Sequence, residues 1–122
     1  MLLHTGTTFI SQAPLECTLP RHLDAVATRF PRVKIIMAHL GHPYEGECIV
    51  VARKHPNIYA DISAIHYRPF QLYQSLMLVQ EYGVWHKLLF GTGLPLHHHQ
   101  RHARGIVRPE PDAPGQRVAT AG

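Results

Sequence analysis

The fold is decided by the stretch Pro31-Arg-Val-Lys-Ile-Ile-Met-Ala-His39-Leu-Gly41-His42-Pro43. Its residues 33–38 are apolar except for one lysine, and prolines and a glycine bound the run. A short apolar run between such boundaries is typical of a strand that is buried on both faces of a parallel sheet. The sequence therefore predicts a strand over residues 33–38, with His39 at its carboxyl end.

The position of His39 allows two interpretations. In α/β folds, side chains at the carboxyl ends of parallel strands converge on the active face. Because the pKa of an imidazole lies near neutrality, a histidine there can bind a metal or act as a base or an electrophile. It can equally be a structural residue, held by hydrogen bonds within the loop, and this stretch alone leaves both interpretations open.

Helix and strand patterns alternate along the rest of the chain. Apolar spacing and bounding prolines predict helices over residues 20–30, 45–54 and 69–82, with Gly83 as the last C-cap, and strands over residues 1–3, 58–63 and 87–90. Such alternation builds a parallel sheet with crossover helices, so the predicted fold class is α/β. The inward-facing helix residues are predicted to be Leu23, Val26, Ala27, Phe30, Cys48, Val51, Ala52, Leu72, Leu76 and Val79, with Tyr73 as a further candidate.

Composition excludes several classes of protein. The chain has 122 residues, 45% of them hydrophobic, which allows one globular domain at most. Neither a membrane-spanning run nor a secretory signal is visible, so no membrane association is expected. The two cysteines, Cys17 and Cys48, lack CxxC spacing, which favours reduced thiols and a cytoplasmic location.

The net charge of +4 does not predict a nucleic-acid-binding protein. Basic and acidic residues are both spread along the chain, and no basic face with interleaved aromatic residues emerges. A basic module that binds nucleic acid or anionic surfaces through Arg101, Arg104 and Arg108 is the function that the sequence supports least.

The character of the chain changes after Pro95. His97, His98 and His99 begin a stretch rich in Arg, Pro, Gly and Ala that has no apolar periodicity, which predicts disorder over residues 96–122. Residues 1–95 form the folded part, in which a four-stranded parallel sheet would leave both edges open. The chain is therefore expected to be a portion of something larger and to self-associate through its open sheet edges.

Four motifs resemble the amidohydrolase-related family of metal-dependent (β/α)8 TIM-barrel hydrolases, which also includes aminocarboxymuconate-semialdehyde-type decarboxylases. They are His4-Thr5-Gly6; Arg29-Phe30-Pro31 followed by Lys34-Ile-Ile-Met-Ala-His39-Leu-Gly-His-Pro43; Pro56-Asn-Ile-Tyr-Ala-Asp61-Ile-Ser63; and Lys87-Leu-Leu-Phe-Gly-Thr92. They occur in the order and at the spacings of the family. The resemblance implies a partial TIM barrel that contains strands five to eight.

The resemblance also implies roles for two histidines. His4 corresponds to a metal ligand on the fifth strand, and His39 to the catalytic histidine on the sixth. The family's cofactor is a divalent metal, expected to be zinc, that activates a water for attack on a small-molecule substrate. His42 and Asp61 lie near this site, where a loop-stabilising histidine and a strand-capping aspartate are the favoured interpretations.

The chain departs from the family pattern in two ways. It has no His-x-His pair of the first strand, and Gly93 stands where the eighth strand of the family carries an aspartate. A one-base frame shift at this codon offers an explanation, because codons for the sequence from Gly93 onward can be read in the shifted frame as Asp-Tyr-Pro-Phe-Thr-Thr-Ile, the family-like continuation. A genuine His-rich metal-binding tail and an expression tag are the alternatives. Resequencing across codon 93 decides between them.

The predicted function follows from the resemblance. We expect a fragment of a metal-dependent hydrolase that acts on a small carboxylate-bearing or cyclic substrate and is inactive alone. The alternatives are a non-catalytic remnant and, within the same family, a metal-dependent decarboxylase.

Overall fold

The computed structural model describes residues 1–91. In this part of the chain three helices alternate with four short strands: β1 (Leu2–Leu3), α1 (His22–Arg29), β2 (Ile35–Met37), α2 (Glu45–Lys54), β3 (Ile58–Asp61), α3 (Pro69–Tyr82) and β4 (Leu88–Leu89). Single 3₁₀ turns cover Leu15–Thr18 and Trp85–Lys87, and a tight turn with left-handed residues spans Ala38–Gly41. The predicted boundary at residue 95 and the tail beyond it lie outside the described residues.

The four strands form one parallel sheet in the order β1-β2-β3-β4. Ile36 pairs with Leu2 on one side and with Tyr59 on the other, and Ala60 pairs with Leu88. Each strand thus lies beside the strand that precedes it in the chain, and the intervening segment carries the chain back to the start of the sheet. The predicted α/β class with a parallel sheet is confirmed.

Local sequence determines the ends of α2 and α3, which have the predicted bounds. Pro69 occupies the first turn of α3, and Gly83 closes this helix with a left-handed φ of 64°. The α1 helix is shorter than the predicted 20–30, because Phe30 has left the helical region (φ −125°, ψ 63°). A residue that precedes a proline is disfavoured in the helical conformation, and Pro31 follows it.

The strands are also shorter than predicted. Val33 and Lys34 are exposed and precede β2, while Ala38 already belongs to the turn that follows it. The Asn57 side chain donates hydrogen bonds to the carbonyls of Phe30 and Val33, so it holds the approach to the strand in a non-sheet conformation. β3 ends at Asp61, whose carboxylate accepts a hydrogen bond from the Ser63 amide.

The helices cover one face of the sheet. Side chains at alternate strand positions are buried against the helices, and the core they form includes Ile35, Met37, Ile58, Ala60, Cys48, Ile49 and Val79. The other alternate positions lie on the opposite face, where Leu2 is 62% exposed and Leu89 is 37% exposed. Within residues 1–91 this second apolar face has no covering layer.

Three predicted core residues are exposed instead. Val26 and Phe30 of the α1 segment are 37% and 50% exposed, since this helix packs through the narrower stripe of Leu23 and Ala27. Tyr73 is 63% exposed. In α3, buried Ser75 and Val79 define the inward stripe, and a residue two positions before Ser75 falls on nearly the opposite side of the helix.

No helix among residues 1–91 has the length and apolar character needed to span a membrane.

Candidate functional site

The carboxyl edge of the sheet brings the predicted site residues together. His4 follows β1, His39 follows β2, Asp61 ends β3, and Gly91 follows β4. A Cβ atom on Gly91 would lie 3.3 Å from Asp61 Oδ2, so the end of β4 passes directly over this carboxylate. The convergence follows from the parallel arrangement of the strands, which places all their carboxyl ends at one edge.

His39 is held through both its backbone and its ring. Its amide donates to Asp61 Oδ1 (3.0 Å), and its ring atom Nδ1 lies 2.8 Å from Ser63 Oγ and 3.1 Å from the Ser63 carbonyl oxygen. The Ser63 hydroxyl in turn donates to Asp61 Oδ1. Strands β2 and β3 are thereby joined beyond the last ladder pair, and the imidazole is half-buried in a defined orientation.

The backbone at this turn is left-handed. His39 and Leu40 have φ values of 61° and 48°, and Gly41 continues at 67°. Two successive non-glycine residues in this region are costly and persist only where the surrounding structure holds them. The hydrogen bond from the His39 amide to Asp61 supplies such a hold.

His4 lies against His39, with ring centroids 5.1 Å apart and the rings edge to face. The side chain of His4 is exposed, and its Nε2 lies 2.9 Å from the Thr7 carbonyl oxygen. A carbonyl only accepts hydrogen bonds, so this Nε2 carries a proton. In the neutral imidazole the lone pair therefore sits on Nδ1, and coordination through Nε2 would break this hydrogen bond.

The loop after β1 is clamped onto the loop after β2. Thr5 Oγ1 donates to the Ala38 carbonyl (2.7 Å), and the Thr7 amide donates to the His42 carbonyl (2.7 Å). Gly6 sits between them at φ 94°, where a Cβ would come within 2.0 Å of His42 O. This close approach keeps His4 beside His39.

His42 belongs to the loop rather than to the group around His39. Its Nδ1 lies 2.5 Å from Glu45 Oε1 in the first turn of α2, and both side chains are largely buried. Glu45 also accepts a hydrogen bond from Ser75 of α3. His42 thus connects the turn after β2 to two helices.

Comparison with known proteins identifies the family. The family model described as Amidohydrolase matches residues 1–114. The chain belongs to the amidohydrolase family. Members of this family generally use divalent metal ions.

A solved structure of similar fold is an uncharacterized TIM-barrel protein from Bordetella bronchiseptica, which matches this amidohydrolase chain with a TM-score of 0.61 at 24% sequence identity. The match covers 86% of this chain and 36% of the other, so this chain spans about a third of that protein's length. The fold is therefore a partial TIM barrel. Among curated proteins, none matches the chain.

The described part of this amidohydrolase chain does not by itself fit a metal ion. Within residues 1–91 no group of three or more His, Cys, Asp or Glu side chains is arranged to hold one, whereas a catalytic zinc site ordinarily takes three protein ligands. Asp61 Oδ1 already accepts three hydrogen bonds. Cys48 is fully buried beside the sulfur of Met37, and burial raises the pKa of its thiol, which therefore stays protonated.

The structure adds Ser63 to the candidate site. The sequence places it in the predicted strand 58–63 and indicates no role for it. One signal was available, because an aspartate commonly accepts a hydrogen bond from the amide two residues later when a strand turns away. Asp61 does so with Ser63, and the same turn brings the Ser63 hydroxyl to His39.

Proposed function

We propose that this chain is the carboxyl-terminal half, strands five to eight, of the barrel of a metal-dependent hydrolase that acts on small carboxylate-bearing or cyclic substrates. The observation that carries the proposal is His39, held at the carboxyl edge of a partial TIM barrel with Nδ1 against Ser63. Family membership supports the reaction class, and the parallel sheet supports the location of the site.

In this proposal His39 is the proton-transfer residue. Because Nδ1 faces an acceptor carbonyl, the neutral imidazole has its lone pair on Nε2. That nitrogen can accept a proton from a water attacking a carbonyl carbon and return it to the leaving group. General acid–base catalysis of this kind contributes roughly 10²- to 10⁴-fold to a rate.

His4 is proposed as one protein ligand to a divalent metal, with zinc as the expected ion. Its place beside His39 supports this assignment, and its exposure leaves it accessible. Because residues 1–91 do not complete a metal site, the remaining ligands would come from elsewhere.

A non-catalytic remnant is the second candidate function. The lack of a three-ligand group within residues 1–91 favours it, and so does Gly93 at the position of the family's aspartate. In this case the carboxyl edge would keep its hydrogen bonds, which hold the loops together, without supporting turnover.

Assembly is part of the proposal. The uncovered face that carries Leu2 and Leu89, together with the edges formed by β1 and β4, would be completed by further barrel strands, supplied by a partner or by self-association. A closed barrel of this type has eight strands and a filled interior. No nucleic acid or membrane partner is proposed.

Zinc content and turnover, measured on the same preparations, test the proposal. We compare the full chain with His4→Ala, with His39→Gln and with a chain that lacks residues 96–122. The matched control is His86→Ala, which removes an exposed histidine that precedes β4. Mass spectrometry measures the metal content. Hydrolysis is measured with a panel of small lactones and aryl carboxylate esters. Sedimentation velocity reports whether the active species exceeds the 13.8 kDa monomer.

The proposal predicts zinc that is lost in His4→Ala and retained in the truncated chain and in His86→Ala. In any assembled species that turns over substrate, it also predicts turnover that falls about 100-fold or more in His39→Gln. Zinc that is lost only on truncation would assign metal binding to His97, His98 and His99 instead. Absence of both zinc and turnover from every assembled species would favour the remnant.

A further inference from the structure

The Asp61 carboxylate accepts hydrogen bonds from both loops of the candidate site, the one after β2 and the one after β3. Its Oδ1 accepts hydrogen bonds from the His39 amide (3.0 Å), the Ser63 amide (2.9 Å) and the Ser63 hydroxyl. Asp61 is 7% exposed, and Ser63 is buried as well. A buried carboxylate that accepts this many donors is a fixed acceptor around which the neighbouring groups must orient.

The direction of the Ser63 hydroxyl follows from this arrangement. A hydroxyl has one proton, and Ser63 donates it to Asp61, since a carboxylate only accepts. The oxygen of that hydroxyl therefore presents a lone pair to His39 Nδ1, 2.8 Å away. The Ser63 carbonyl, at 3.1 Å, is a second acceptor for the same ring nitrogen.

Strained backbone lies next to the residues of this hydrogen-bond network, His39, Asp61 and Ser63. Among residues 1–91, the non-glycine residues with left-handed φ are His39, Leu40 and Ala64, and Ala64 directly follows Ser63. Such conformations persist only where the surroundings hold them, and they cluster at functional sites. Here the strained segments are the two loops that Asp61 joins.

We propose that Asp61 and Ser63 are positioning residues that hold His39 in the Nδ1–H tautomer, so that any proton exchange with a substrate takes place at Nε2. The chain of hydrogen bonds runs from Nδ1–H to Ser63 Oγ and from its hydroxyl proton to Asp61 Oδ1. The inference rests on the proposed function only in giving Nε2 a chemical task, because the tautomer itself requires neither metal nor substrate.

Nuclear magnetic resonance of the full chain labelled with ¹⁵N-histidine tests the inference. Long-range ¹H–¹⁵N spectra at pH about 8.5, above the ordinary pKa of histidine, report which ring nitrogen carries the proton. We expect the Nδ1–H form of His39 in the wild-type chain. Ser63→Ala keeps the carbonyl acceptor and removes the hydroxyl, so the ratio of Nδ1–H to Nε2–H should fall roughly three- to ten-fold, as for the loss of one hydrogen bond.

Two further variants separate positioning from general stability. Ser63→Thr restores a hydroxyl and should restore the wild-type tautomer. Ser75→Ala removes another buried hydroxyl, one that bonds Gln71 and Glu45, and should leave the His39 tautomer unchanged even if the chain is less stable. Asp61→Asn should lower the ratio of Nδ1–H to Nε2–H further than Ser63→Ala does. The side-chain amide of the asparagine can donate to the Ser63 hydroxyl, which then turns its own proton toward Nδ1.

Nε2–H as the wild-type tautomer would overturn the inference, even if every variant failed to fold. A Ser63→Ala spectrum identical to the wild-type spectrum would overturn it too. An Nε2–H tautomer would also withdraw Nε2 as the proton acceptor in the proposed function. Zinc content and the turnover of His39→Gln are measured independently of the tautomer, so the metal-dependent hydrolase and the tautomer can still fail separately.

Discussion

The two ends of the sheet each hold a histidine close to an aspartate, and they are built differently. At the carboxyl end, His39 reaches Asp61 through its own backbone amide and through Ser63, on a left-handed backbone. At the amino end, His55 Nε2 lies 2.6 Å from Asp24 Oδ1, and the His55 backbone is extended. The first arrangement orients a ring from a strained loop, whereas the second links α1 to the end of α2.

Lys87 extends the network at the amino end. Its ammonium group donates to the carbonyls of His55 (3.0 Å) and Pro56 (2.8 Å) and lies 4.7 Å from the centroid of the Tyr59 ring. Lys87 is buried, and burial lowers its pKa below the ordinary value. This network joins the start of β4 to the end of α2.

The two ends of the sheet differ in backbone conformation and in the kind of contact that joins them. The non-glycine left-handed residues among residues 1–91 all lie at the carboxyl end, and the amino end is joined by ion pairs and carbonyl contacts on ordinary backbone. In TIM barrels the carboxyl face carries the chemistry and the opposite face contributes stability. In the proposed function, His39 lies at the end that corresponds to the carboxyl face, and the pair of Asp24 and His55 lies at the opposite end.

The largest expected effect concerns the clamp at the carboxyl end. Gly6→Ala would place a Cβ 2.0 Å from His42 O at a φ of 94°. Both the clash and the strained backbone destabilise, so we expect the free energy of unfolding to fall by about 3 kcal/mol. Urea denaturation measures this loss.

The matched control is Gly46→Ala in α2, where an added Cβ meets nothing within 4 Å. It should stabilise the chain by about 0.5 kcal/mol or more, because alanine is the better helix former. Equal effects of the two substitutions would show that the Gly6 contact with the loop after β2 does not hold the site together.

A smaller effect is expected at the amino end. Lys87→Met removes the donor to two carbonyls while keeping much of the apolar stem, so we expect a loss of about 2 kcal/mol in the free energy of unfolding. Lys54→Met, which breaks an exposed pair with Asp24, should cost less than about 1 kcal/mol. If both variants unfold at the same urea concentration, the Lys87 network does not stabilise this end.

The smallest effect is a pH dependence. Hydrogen bonds from Lys54 and then from His55 lower the pKa of Asp24 below its ordinary value of 3.8. The ionised Asp24, with its partners Lys54 and His55, therefore stabilises the fold above pH 3.8. This contribution is lost as the pH falls through the lower pKa that Asp24 has in the folded state. The aspartate is partly exposed, so salt should weaken the effect.

Thermal unfolding of the wild-type chain and of Asp24→Asn, measured from pH about 5 down to about 2.5, checks this sign. The wild-type midpoint should fall more steeply over this interval. Parallel curves would show that Asp24 does not stabilise the amino end of the sheet.

The order and type of the elements were predictable because they rest on local signals. Pro69 and Gly83 bound α3, and the polar and apolar pattern of residues 45–54 bounds α2. The strand ends were not predictable to the residue. Asn57, distant in sequence from Val33, decides where β2 begins, and the Asp61 carboxylate ends β3 by bonding to Ser63.

The sequence alone determined the α/β class, the family resemblance and the placement of His4 and His39 at strand ends, because each rests on local patterns of residues that follow one another along the chain. Only the tertiary structure decided how His39 is oriented. Its ring orientation depends on Ser63 and its amide on Asp61, both more than twenty residues away and brought near by the pairing of β2 with β3. Hydrogen bonds across such separations leave no periodic trace in a sequence, since they form only when the strands are aligned.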